Sequence, residues 1–95
     1  MTTRLLVEGS VVEEAVGELV QWYVAMFRPA IAAQAGFIGV EFIRYDGSDK
    51  WLLIIRFERE EDRLSWVATE LHEKVWGRMS ELFRVTCTQV GKVVE

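Results

Sequence analysis

The chain has 95 residues, 51% of them hydrophobic, and a formal charge of −4. That describes a single domain over residues 1–95 with no room for a second core; at this size only about 60–68% of the unfolded chain's surface can be buried, so self-association would add stability. Phosphate binding needs clustered Lys and Arg, and their absence argues against a nucleic-acid partner, while no apolar run approaches the ~20 residues of a membrane span.

Arg4–Glu8 is a predicted strand, stopped by Gly9-Ser10. Ser10 is the expected N-cap of a helix, with Glu13 as capping-box partner and Glu13 and Glu14 at the positive end of the helix dipole. On a regular helix Val12, Val16, Leu19, Val20, Tyr23, Phe27, Ala30 and Ile31 fall on one side. Trp22, Val24 and Met26 widen that arc, which points to contacts beyond the chain's own sheet. Pro29 removes one backbone donor, so the helix is expected to kink near Phe27–Pro29 and to close at Ala35-Gly36.

Phe37 to Asp46 and Trp51 to Arg59 read as strands joined by the turn residues Asp46-Gly47-Ser48-Asp49-Lys50. Glu60-Glu61-Asp62 opens a second helical stretch, in which Leu64, Ala68, Leu71, Val75, Met79 and Leu82 recur at helical spacing, with a break expected near His72. Arg84 to Val94 returns to a strand rich in Val and Thr. It carries the only cysteine, Cys87, which excludes an internal disulfide. With no signal peptide at Met1–Gly9, it points to the cytoplasm and to a buried, inert thiol.

The order β-α-β-β-α-β is the split βαβ arrangement of the ferredoxin-like α+β class, a four-stranded antiparallel sheet with its helices on one face. In the second hairpin strand Trp51, Leu53, Ile55 and Phe57 form one row, and Leu52 and Ile54 begin the other. Two helices cover one face only, so the other is expected to meet a second subunit or a small apolar ligand, most simply a second copy of the chain.

Pro29, Gly36-Phe37-Ile38-Gly39-Val40, the hairpin into Leu52–Glu58, and Trp66, His72 and Trp76 together resemble the antibiotic-biosynthesis-monooxygenase type of domain over most of the chain. The resemblance implies a dimeric α+β barrel in which two ferredoxin-like units pack their bare sheet faces together. Its superfamily includes cofactor-independent oxygenases, haem-degrading enzymes and proteins without an assigned role. Two departures narrow the activity. The chain contains no Asn, so a site built on an Asn amide cannot be reproduced, and the apolar Leu5–Val7 argues against haem breakdown. Trp66 is the position that matches the tryptophan which the polyketide oxygenases pair with polar donors.

Among individual residues, His72 has the neutral-range pKa suited to general acid/base work. A lone imidazole without partners at ligand spacing is a poor metal site, and no metal or cofactor is expected. On an unbroken helix Ser65, Thr69, His72 and Trp76 share a strip that could wall a pocket with polar groups and one large ring. Trp66 lies opposite Leu64, Leu71 and Leu82 on the same wheel, which would leave its ring outside the subunit's own core for a partner or ligand to cover. Tyr23 could donate a phenolic hydrogen bond, in competition with a core role. Arg44 or Arg56 could project into a barrel interior, Glu58–Arg63 is expected to be a solvated connection, and Glu41 is the one candidate carboxylate for an isomerase of small lactones.

These expectations define a homodimer that binds a small aromatic or quinone-type molecule between sheet and helices. His72 is the candidate catalytic residue, and Trp66, Trp76, Thr69 and Tyr23 are the candidate substrate contacts. The reaction would be cofactor-free monooxygenation; the alternative is a non-catalytic metabolite-binding or assembly module on the same fold.

Overall fold

The computed structural model describes residues 1–94. Four strands, β1 (Thr3–Ser10), β2 (Phe37–Arg44), β3 (Lys50–Phe57) and β4 (Arg84–Lys92), form one antiparallel sheet in the order β2-β3-β1-β4. That order, with the helices on one face, is the expected ferredoxin-like α+β fold.

β1 and β3 occupy the centre because both carry apolar residues at successive positions. Their register pairs Leu5 with Ile55 and Val7 with Leu53 on the helix side, and Leu6 with Ile54 on the other. β1 runs two residues further than Glu8, through Gly9 and Ser10, which pair with Trp51 and Lys50. Ser10 is therefore a strand residue and not the predicted helix cap; Val12 stands at that position and offers no capping side chain. Ladder pairing with two neighbours outweighs one local cap. Gly9 is required here, because a β-carbon would collide with the Arg84 backbone and the Phe83 ring as β4 begins.

The first helical segment comprises a 3-10 turn (Glu13–Ala15), α1 (Val16–Trp22), a π-helical turn (Tyr23–Phe27) and α2 (Arg28–Ala32). Leu19, Tyr23, Phe27 and Ile31 are its buried residues. They are spaced by four, and on a regular helix three such steps would drift by about 120°. The wide π turn takes up part of that drift and keeps all four facing the sheet. It sits directly before Pro29, which occupies the first turn of α2, where its missing N–H costs least. The helix was expected to kink near Phe27–Pro29; what the structure shows is a π turn over Tyr23–Phe27, just ahead of the proline. Gly36, at φ +78, closes the segment, and its carbonyl accepts from the Glu58 amide at 2.7 Å.

The second helical stretch is divided three residues before His72. α3 (Glu60–Val67) ends at Ala68, Thr69 is extended at φ −82 and ψ 151, and α4 (Glu70–Leu82) begins again. This break resets the wheel. Trp66, expected outside the core, is buried at 2% exposure, while Leu64 and Leu71, expected inside, are 52% and 41% exposed. Val75 and Met79 keep their predicted places, and the Trp22 indole N–H donates to the Val75 carbonyl at 2.8 Å, tying α1 to α4.

The sheet's second face carries Leu6, Ile43, Leu52 and Ile54, half-buried, among Arg4, Glu8, Glu41, Arg56 and Gln89. β4 is exposed along its whole length. Cys87 is exposed as well, contrary to the buried thiol expected, because it points to the face that no helix covers.

Candidate functional site

Between α3, α4 and the helix side of the sheet lies a cavity of about 220 Å³. Its floor is aliphatic, formed by Leu5, Val7, Leu53 and Ile55. These are the inward residues of β1 and β3, placed there by strand alternation. Phe27, at the end of the π turn, and Trp66 and Trp76 supply ring walls. Phe27 meets Trp66 at 6.4 Å edge-on and Trp76 at 6.1 Å, spacings within the favoured range for aromatic pairs. Val90 and Thr88 contribute a side from β4, and α3 adds Val67 and Arg63.

His72 is half-buried on the same lining, in the first turn of α4. Its imidazole stands edge-on to Trp66 with centroids 5.1 Å apart at 86°. Among the described residues neither ring nitrogen has a hydrogen-bond partner. Burial pushes its pKa below the ordinary 6.5, so the ring is neutral at pH 7 and has one nitrogen lone pair free to accept a proton.

Thr69 does not line the cavity; it holds the junction. Its Oγ1 donates to the Trp66 carbonyl at 2.8 Å and accepts from the His72 amide at 3.0 Å, so one hydroxyl ends α3 and caps α4. This side chain thus ties together the backbone of the two ring-bearing residues.

Tyr23 also stands apart from the cavity. It packs against Phe27 at 6.0 Å and Phe42 at 5.2 Å, and burial raises its phenol pKa, partly offset by the nearby Arg28 charge. Arg44 pairs with Glu13 at 2.7 Å, and Arg56 points to the uncovered sheet face. Glu41 lies on that face too, opposite Ile54, so the lactone-isomerase reading has no carboxylate in the cavity. Among the described residues no three His, Cys, Asp or Glu side chains converge as a metal ion would require.

Arg63 is the lining residue that the sequence reading missed. It lies in a charge-rich run expected to be solvated, yet its side chain is only 14% exposed and is held by a two-pronged pair with Glu60 at 2.5 and 2.9 Å. The Glu60-x-x-Arg63 spacing was the available signal for that pair. Thr88 was missed as well; alternation with Val90 would have placed it.

The sequence matches no protein-family model and no curated protein. Similarity lies in solved structures at low sequence identity, which defines the fold. SnoaB, a cofactor-independent oxygenase from Streptomyces nogalater, superposes with a TM-score of 0.86 at 13% identity, over 99% of this chain and 94% of that one. A protein from Bordetella bronchiseptica described as a candidate antibiotic biosynthesis monooxygenase gives 0.82 at 14% identity, over 99% and 98%. A conserved protein from Bacteroides thetaiotaomicron, of unknown function and described as a possible oxidoreductase, gives 0.82 at 14%, over 95% of each chain. The chain therefore has the fold of antibiotic-biosynthesis-monooxygenase-like proteins, as its residues suggested.

Proposed function

We propose that this chain forms a homodimer that binds a hydroxylated aromatic or quinone-type molecule in the cavity and oxygenates it without a cofactor. The observation that carries the reading is a neutral imidazole, its ring nitrogens without a hydrogen-bond partner among the described residues, on a cavity walled by Phe27, Trp66 and Trp76. The fold shared with a cofactor-independent oxygenase supports it. In this reading His72 takes the phenolic proton, and the ring carbon of the resulting anion bonds to dioxygen, which accepts an electron pair. The hydroperoxide then loses water, so one oxygen atom ends in a quinone carbonyl and the other in water. The apolar floor and the rings hold the flat substrate and keep bulk water from the anion.

The test is oxygen uptake and quinone absorbance with 1,5-dihydroxynaphthalene, which with one dioxygen gives a hydroxyquinone and one water. Wild-type protein should exceed the buffer rate and His72→Ala, folded by circular dichroism, should not. The acting form of His72 is deprotonated, so the enzymic rate should rise as pH climbs through the lowered imidazole value and be level above pH 6.5. A wild-type rate equal to buffer would leave metabolite binding without catalysis, and an undiminished His72→Ala would remove the imidazole from the chemistry.

The dimer would form through the uncovered sheet face. That face joins four aliphatic side chains to Arg4 and Arg56, whose Nε atoms are buried without a partner, and to the carboxylates Glu8 and Glu41. A second copy would bring both apolar cover and acceptors. No described helix is long and apolar enough to cross a membrane. We assign the protein to the cytoplasm, since its single cysteine has no disulfide partner within the chain.

A further inference from the structure

We infer that Arg63 anchors an anion in the cavity, and that the ligand is a hydroxyaromatic carboxylic acid rather than a neutral phenol. The inference rests on the cavity as a small-molecule site and adds the chemical class of its occupant.

The Glu60 carboxylate takes two guanidinium nitrogens of Arg63, Nε and Nη2. This fork fixes the plane of the group, and Nη1 is left with no acceptor among the described residues. Nη1 thus keeps two N–H donors on a guanidinium that lines the cavity with only 14% of its side chain exposed, and an anionic occupant can take the place of water there.

The charge on the cavity wall favours an anion. Glu60 is held below the usual carboxylate range chiefly by its bond to Arg63, with a further contribution from Lys92, whose Nζ donates to the buried Thr3 hydroxyl at 2.8 Å. Arg63 and Lys92 both act on the single carboxylate of Glu60, and of the three only Arg63 lines the cavity. Arg63 and Trp66 are three residues apart and face the same way on α3, and Trp66 touches His72. The wall therefore presents a cation, a flat ring and a neutral base in succession. A carboxylate is the group already ionised at neutral pH that fits the first, an aromatic ring fits the second, and a hydroxyl proton fits the third. A chamber of about 220 Å³ is below the roughly 300–1,000 Å³ of sites for drug-sized ligands, which limits the occupant to one or two rings.

The probes are salicylate and its uncharged counterpart salicylamide, titrated calorimetrically. A hydrogen bond to a charged group supports a preference of about tenfold or more for salicylate in the wild-type protein. In the paired variant E60Q/R63Q, which leaves no orphaned carboxylate, the two probes should bind alike. Arg63→Lys should keep part of the preference. If the paired variant does not fold, the salt dependence of the wild-type protein decides: salicylate should weaken with added salt and salicylamide should not. Equal wild-type affinities, or an undiminished preference in E60Q/R63Q, would overturn the anchor while leaving a neutral aromatic ligand in place. Failure of the wild-type protein to bind either probe would overturn the small-molecule site and the anchor together.

Discussion

Thr69 shows how one hydroxyl can link two residues of a cavity wall without lining the cavity itself. It holds the Trp66 carbonyl at the end of α3 and the His72 amide, the third of the free amides that open α4. Thr69→Ala should lower stability by about 0.5–2 kcal/mol, the cost of a lost N-cap, measured by urea unfolding, and should reduce ligand affinity because the two rings lose their common support. Thr69→Ser should restore both; an affinity unchanged in Thr69→Ala would show that the rings are held by packing alone. Thr69 followed by Glu70 and Glu73 has the composition of a helix start. A single helical wheel carried across Leu64 to Leu82 passes over that start and turns Trp66 to the wrong side. His72 and Trp76 were legible because their spacing of four lies wholly within α4. Arg63 was hidden by its neighbours: a run from Glu58 to Arg63 reads as solvent chemistry, and burial of one member depends on the packing of α3 against the sheet, which local sequence does not specify.

Among the elements, those defined by local chemistry were the most readable. The turn from Asp46 to Lys50 and the closure at Gly36 follow from residues that tolerate the required backbone angles. The helical segment before them combines two demands that sequence periodicity alone does not reconcile, a spacing of four between buried residues and a proline inside the helix. The π turn meets both. The start of that segment was misplaced for a different reason: Ser10 has the right chemistry for a cap, but β1 continues through it because Lys50 and Arg84 lie opposite. The same extension makes Gly9 the tightest point in the sheet. Gly9→Ala would force its methyl group against the Arg84 backbone, which cannot rotate away, and stability should fall by about 1–3 kcal/mol, as for other overpacked sites. Urea unfolding at constant slope measures it, and a loss within experimental error would mean that the start of β4 can shift freely.

For the whole molecule, the decisive feature is a sheet with only one face covered by its own helices. The double apolar row of Trp51–Phe57 already implies it in the sequence, and the register shows which side chains lie on which face. A dimer built on the second face should register as twice the chain mass in sedimentation velocity. Ile54→Asp, placed beside Glu41 in the neighbouring strand, should give a single-chain species at the same concentration. A wild-type protein sedimenting as one chain would end the dimer proposal.

β4 gives that assembly a second significance. On one side the strand supplies Thr88 and Val90 to the chamber, and on the other it turns Cys87 and Gln89 towards the proposed mate. A ribbon one residue thick would separate a bound guest from that neighbour, so whatever steadied it for one would steady it for the other. By reciprocity, diluting the protein should loosen its grip on small molecules, and a saturating guest should raise the association constant by the same factor.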